Sequence, residues 1–220
     1  MNLPRRLAAE AIGTALLLAI VVGSGIMGQR LSQGNDAVAL LGNSVATGAG
    51  LAVLIFLFAP ISGAHFNPVV TLVEALDRKL TWSDALRYIP VQIVAALAGV
   101  AATHLMFNEA LFTPSDHARL GLSQWWSEFV ATFGLILVIK LSLHHNERAV
   151  PVTVAAYITA AYWFAASTSF ANPAVTIARS LTPTFSGIRH DGIVGFIVAQ
   201  LLGAFVAAKF SAWILGSSEK

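Results

Sequence analysis

The sequence reads NPVVTL from Asn67 to Leu72 and NPAVTI from Asn172 to Ile177, 105 residues further on. Each hexapeptide opens a short apolar run, and proline suits the first turn of a helix, where its missing N–H is not needed. The two runs predict helices over about 67–76 and 172–181. Both are too short to cross a bilayer core, which needs about 20 apolar residues. A turn-like approach precedes each, ISGAHF before Asn67 and STSFA before Asn172. Short, interrupted segments in matching places of two halves point to a site near a membrane midplane.

The rest of the chain agrees with a membrane reading. Hydrophobic residues make up 56% of it and charged residues 11%, against about 25% charged in an ordinary soluble domain. The apolar residues form long blocks rather than amphipathic stripes, at about 7–28, 38–59, 84–107, 122–143, 150–169 and 192–214. The first block follows a basic start but runs from about Leu7 to Met27. That exceeds the 7–15 residues of a secretory leader, so it reads as a retained helix. The net charge of +2 comes with no basic patch interleaved with aromatics, and no nucleic-acid partner is expected. With no cysteine, the chain has no disulfide framework and no thiolate chemistry. No nucleophile–base set, metal cluster or phosphate loop appears, so neither an enzyme nor a cofactor is expected. The adjacent His144 and His145 read as a solvated loop.

The two halves match beyond the hexapeptides. Glu10, Gly13 and Thr14 open the first span, and Glu128, Thr132 and Gly134 the fourth. Gln92 and Gly99 follow the first short helix, and Gln200 and Gly203 the second. Each half is a glutamate helix, a helix, an Asn-Pro half-helix and a glutamine helix. Three crossings per half is an odd number, so the repeats enter from opposite sides. The expectation is an all-α integral membrane protein with six transmembrane helices and two re-entrant half-helices in two inverted repeats. It forms a single channel domain over 1–220, with repeats at about 1–107 and 122–220 joined by the loop 108–121. Lys and Arg in the short connections divide nine to four. Arg5, Arg6, Arg78, Lys79, Arg87, Lys140, Arg148, Lys209 and Lys220 fall on one side, and Arg30, Arg119, Arg179 and Arg189 on the other. The excess predicts a multi-pass protein of the plasma (inner) membrane with both termini cytoplasmic. Trp82, Trp125, Trp126 and Trp213 lie near span ends, as an interfacial belt would.

Two half-helices entering from opposite faces meet at their N-termini, where partial positive charge and free N–H groups collect. Asn67 and Asn172 place two amides there, each able to donate to a permeant oxygen. Asparagine is also a preferred N-cap, and capping holds the amide in place. Paired positive dipole ends repel cations. Glu10 and Glu128 are ionisable groups inside spans, which elsewhere mark proton relays. Their matching positions favour a scaffold role, accepting bonds from the re-entrant loops, and Gln92 and Gln200 read the same way.

With SGAHFNPVVT, FANPAVT and the duplicated Glu and Gln helices, the chain resembles the aquaporin or major intrinsic protein family over nearly its whole length. The resemblance implies a homotetramer in the lipid bilayer with one pore per subunit, passing water or small neutral solutes. It assigns the pore motifs to Asn67, Pro68, Val69, Asn172, Pro173 and Ala174. Gly63, Ala64 and His65 then line the half nearer the termini, with packing the other reading for His65. The family's narrowest point maps, by counting from the asparagines without gaps, to Thr47, Ala160, Ser169 and Val175. There the chain departs from the pattern, because family members usually carry arginine where this one has Val175. Water-selective members also carry a large aromatic at the Thr47 position. Small side chains imply a wider constriction, and losing a guanidinium removes five donors and a permanent charge. Glycerol, urea and undissociated metalloid acids such as arsenite, As(OH)3, suit such a filter. The filter and the stretch AAYWFAASTSFANPAVTIARS are similar to a bacterial aquaporin subgroup linked to arsenic resistance. Arg179, one turn beyond Val175, either snorkels to headgroups, binds loop carbonyls or lines the outer vestibule. A strictly water-selective pore and a coupled secondary transporter are the competing readings.

Overall fold

Asparagine, threonine and glycine cut the apolar sequence into helices. Asn2, Asn35 and Thr81 each accept a backbone N–H from the turn that follows them, the capping chemistry that short polar side chains favour. Gly63, at φ 91°, closes the second helix in the left-handed region, which costs glycine little. The computed structural model describes residues 1–216. Its helices are α1 (Leu3–Leu31), α2 (Asp36–Ser62), α3 (Pro68–Leu76), α4 (Trp82–Phe107), α5 (Leu122–His145), α6 (Val150–Phe164), α7 (Pro173–Arg179) and α8 (Ile193–Ile214). Short 3-10 turns at Glu147–Ala149 and His190–Gly192 lead into α6 and α8, and no strand occurs among the described residues. Lys220, counted above among the basic residues, lies outside the described residues.

Five helices, α1, α2, α4, α5 and α8, are long and apolar enough to cross a membrane. The sixth differs from the predicted span 150–169, because α6 has 15 residues and ends at Phe164. By helix rise that is about 22 Å, short of a bilayer core of about 30 Å. The chain leaves helical geometry at Ala165 to approach α7 through left-handed Thr168, Ser169 and Ala171. The two half-helices are α3 and α7.

The packing repeats between halves. α1 lies against α2 and α4, α5 lies against α8 and α6, and α2 against α6 joins the halves. Both half-helices, α3 and α7, pack against α4 and α8. Two glycines permit the closest helix approaches. A Cβ on Gly99 would stand 2.3 Å from the Ala15 carbonyl oxygen, and one on Gly203 2.4 Å from that of Phe129. Small residues at such contacts are how helices associate where lipid removes the hydrophobic drive.

Polarity is reversed relative to a soluble protein. Phe56, Leu86, Val94, Leu105, Val152 and Val194 are exposed, while Glu10, Gln92, Glu128, Lys140, Arg179 and Gln200 are buried. The chain is a multi-pass membrane protein. Lys140 is a correction to the charge count: α5 continues to His145, so Lys140 lies in a helix rather than a connection. Its ammonium turns inward to Glu74, at 3.0 Å, and to Asp77, both at the C-terminal end of α3.

Gly99→Val and Gly203→Val should each force their helix pair apart at backbone, where no side chain can yield. The expected cost is about 1–3 kcal/mol each, read as a lowered melting temperature in detergent. Wild-type melting in both variants would mean that these contacts do not set the helix spacing.

Candidate pore

The N-termini of α3 and α7 are strapped to each other by their asparagines. Asn67 Oδ1 accepts the Val69 N–H at 3.0 Å, capping α3, while its Nδ2 donates to the Ala171 carbonyl at 2.8 Å. Asn172 Oδ1 accepts the N–H groups of Ala174 and Val175 at 3.0 and 3.3 Å, capping α7. Its Nδ2 donates to the Phe66 carbonyl at 2.8 Å. Each amide thus spends its oxygen on its own half-helix and one N–H on the loop of the other. An amide NH2 has two hydrogens, so one donor per asparagine is left for the cavity that both residues line. Pro68, Val69, Pro173 and Ala174 are buried behind them in the helix first turns.

The loops that deliver the asparagines are bent identically. Ala64 and Phe66 have φ of 50° and 49°, and Ser169 and Ala171 have φ of 53° and 48°. These are left-handed conformations at matching distances before each asparagine, and they are unfavourable for residues with a Cβ. Buried carboxylates hold them. Glu10 accepts the N–H of His65 at 3.0 Å and of Phe66 at 2.7 Å, together with the Ser62 hydroxyl and the Gln92 amide. Glu128 accepts the N–H of Phe170 and of Ala171, both at 2.9 Å, and the Gln200 amide at 2.6 Å. Gln92 also donates to Thr71 and Gln200 to Thr176, each at 2.9 Å, tying each glutamine helix to its half-helix.

A cavity of about 590 Å³ runs past this junction. At the end nearer the termini it is lined by Glu74, Glu147 and Arg148, then by Gly63, Ala64 and His65. His65 Nδ1 lies 3.0 Å from the Thr71 hydroxyl. Val70 and Val175, each three residues after its asparagine, both face the cavity, as do Thr47 and Ser169. Leu17, Val21, Leu51, Leu135 and Ile158 complete a largely apolar wall.

Ala160 does not belong to that wall. It is exposed on the outside of α6, and the cavity is lined instead by Ile158 and Tyr162. Counting without gaps assumed a fixed loop length, and a two-residue slip turns a helix by about 200°. Tyr162 is the residue that counting missed, and its hydroxyl lies 3.2 Å from the Thr47 hydroxyl across the α2–α6 contact. A tyrosine in an apolar span was the available signal, since a buried phenol needs a polar partner.

At the far end, Arg179 is 2% exposed and lines the cavity. Its Nε donates to the Ser186 carbonyl, and its guanidinium stacks 3.4 Å above the Phe170 ring centroid. It therefore binds a loop carbonyl and faces the vestibule at once, and it does not reach headgroups. Arg119, from the loop 108–121, approaches the same ring at 5.4 Å and donates to the carbonyls of Gly187 and Ser167 at 2.9 and 3.1 Å. Burial pushes the Arg119 guanidinium below its usual pKa, with Glu128 and Tyr162 acting the other way.

Glu128→Ala should leave two buried backbone N–H groups and one N–H of the Gln200 amide without an acceptor. At about 1–3 kcal/mol per orphaned group, little monodisperse protein should survive gel filtration in detergent. Glu128→Gln, which keeps one acceptor oxygen, should fall between. A Glu128→Ala protein that melts like wild type would mean the loop is held by other contacts.

The sequence profile of the family described as major intrinsic protein matches residues 1–162. The chain is 52% identical to "Aquaglyceroporin AqpS" of Rhizobium meliloti (strain 1021) over 214 residues, covering 97% of this chain and 91% of that protein. It is 30% identical over 215 residues to "Aquaporin NIP6-1" of Arabidopsis thaliana, covering 94% of this chain and 68% of that protein. Its fold is similar to the crystal structure of an aquaglyceroporin from Plasmodium falciparum, with a TM-score of 0.78, 18% identity and 97% of both chains covered. Asparagine-capped half-helices meeting beside a lined cavity, together with these relatives, show that the chain belongs to the major intrinsic protein family and is a membrane channel rather than an enzyme.

Proposed function

We propose that this channel passes water together with small uncharged solutes bulkier than water. The candidates are glycerol, urea and undissociated metalloid acids such as As(OH)3. One observation carries the reading: the cavity wall three residues beyond Asn172 is Val175, a side chain with neither charge nor donors. With Thr47 and Ser169 it forms the proposed selectivity filter, and Tyr162 takes the wall that Ala160 does not reach. A solute entering there trades water for the Thr47 and Ser169 hydroxyls and then for the spare N–H groups of Asn67 and Asn172. Its carbon-bound edges pass over Val175, Val70 and the leucines. Ions find no such exchange. Two half-helix N-termini present positive potential to any cation, and the amides offer donors but no acceptors. Gly63, Ala64 and His65 line the remaining path toward the termini.

The name aquaglyceroporin, carried by the relative at 52% identity, supports a solute wider than water. A strictly water-selective pore is the second reading, and the Thr47–Tyr162 contact at 3.2 Å favours it by closing α2 onto α6 beside the filter. A coupled transporter is disfavoured, because both carboxylates of Glu10 and Glu128 are already occupied by backbone N–H and glutamine donors. In this reading the chain is one channel domain, with repeats at about 1–107 and 122–220 joined by 108–121. It works as a homotetramer in the plasma (inner) membrane with both termini cytoplasmic. The Lys and Arg excess stays on the terminal side when the buried Lys140 and Arg179 are set aside.

Light scattering from proteoliposomes tests the filter directly. Wild type should admit water, glycerol and As(OH)3. Val175→Arg should keep water and lose the two larger solutes by about tenfold or more, the discrimination that a filled pocket provides. Wild-type vesicles that pass only water would refute the broad-solute reading and leave the water-selective one.

A further inference from the structure

We propose that Arg179 is a specificity-determining residue of this pore. Its guanidinium, displaced one helical turn outward from Val175, supplies the donors that solutes meet and the charge that cations meet at the mouth opposite the termini. The inference rests on the channel reading above and deepens it.

Four observations carry it. First, the side chain lines the cavity although it is 2% exposed, so what surface it has is cavity surface rather than lipid surface. Second, among the described residues its guanidinium makes one hydrogen bond, from Nε to the Ser186 carbonyl. The Nη groups, which carry four of its five N–H donors, have no protein acceptor there. Third, among the described residues no carboxylate pairs with it. Glu128, the acid whose field reaches it, is committed to Phe170, Ala171 and Gln200. Fourth, Arg119 approaches the same Phe170 ring at 5.4 Å, so two guanidinium groups share one aromatic, and among the described residues neither forms an ion pair.

A purely structural arginine at this depth would be paired or would reach for water, because a desolvated, unpaired charge is costly. Here Phe170 holds the group by its ring face, and the Ser186 carbonyl fixes its plane. Phe170 is itself fixed edge-on against Phe196 at 5.1 Å, and its backbone N–H is held by Glu128. The fork is therefore preorganised and not free to swing. Val175 lies four residues earlier on α7, about 6 Å by helix rise. The wall at Val175 stays smooth while the donors wait one turn out. A solute with several oxygens can exchange water for the fork before it enters the apolar stretch. The same fixed charge, reinforced by Arg119, faces an arriving cation.

Proteoliposomes carrying wild type, Arg179→Gln and Arg179→Lys separate these roles. Three quantities are read: osmotic water flux, glycerol entry relative to water, and passive proton leak under an imposed potassium diffusion potential. Arg179→Gln should raise the leak per unit water flux by about tenfold, as expected for removing one charge from a partly desolvated site. Its glycerol-to-water ratio should fall by about fivefold or more. Arg179→Lys keeps the charge but lacks the planar fork, so its leak should stay at the wild-type level while its ratio falls. An Arg179→Gln channel with wild-type leak and ratio overturns the proposal. So does loss of water flux in both variants, which would make Arg179 a strut for the Ser186 loop. Wild type that passes water and no glycerol refutes the broad-solute reading alone, since the leak comparison still reports on Arg179.

Discussion

Backbone that leaves helical geometry at membrane depth has to find its hydrogen bonds inside the protein. In this chain two carboxylates supply them. Glu10 and Glu128 each accept two consecutive N–H groups just before an Asn-Pro half-helix. That bond pattern keeps Ala64, Phe66, Ser169 and Ala171 in left-handed conformations that they would not adopt alone. The bent loops aim the two asparagines at each other, and the cross-bonds from Asn67 to Ala171 and from Asn172 to Phe66 then lock the halves together. Without the carboxylates, the two bent loops lose the acceptors that hold their backbone N–H groups.

The charges follow from the same constraint. Between the ends of the cavity the polar wall consists of amides, hydroxyls, an imidazole and backbone. Ionised groups collect at the ends, and the two ends differ. Lys140 is answered by Glu74 and Asp77, whereas Arg179 and Arg119 share Phe170 and, among the described residues, pair with no acid. A path that is neutral in its middle and cationic at one mouth suits uncharged solutes, because each hydrogen bond lost from water is replaced while no ion is.

The repeated architecture was legible because the duplication is written in the residues themselves. Glu, Gln and Asn-Pro recur in the same order, and the half-helix bounds follow to within a few residues from asparagine capping. The carboxylate contacts were legible in outline, since a buried acid beside a non-helical loop has few other uses. What escaped the sequence depends on partners far away in the chain. Lys140 looked like a loop charge because Glu74 is 66 positions distant. Ala160 was placed on the wall because nothing local shows that α6 stops at Phe164. The crossed use of the asparagine amides was invisible, because it needs both loops in register at once. Arg179 was undecided until Phe170 and Ser186 came together around it.

The central claim is that solutes pass this junction uncharged and uncoupled to ions. Labelled glycerol uptake into proteoliposomes, recorded with and without an imposed membrane potential and pH gradient, tests it most directly. The account predicts an uptake rate indifferent to both, with no accumulation beyond the outside concentration. Uptake that follows either gradient, or that concentrates glycerol inside, would contradict it and make Glu10 and Glu128 coupling groups after all.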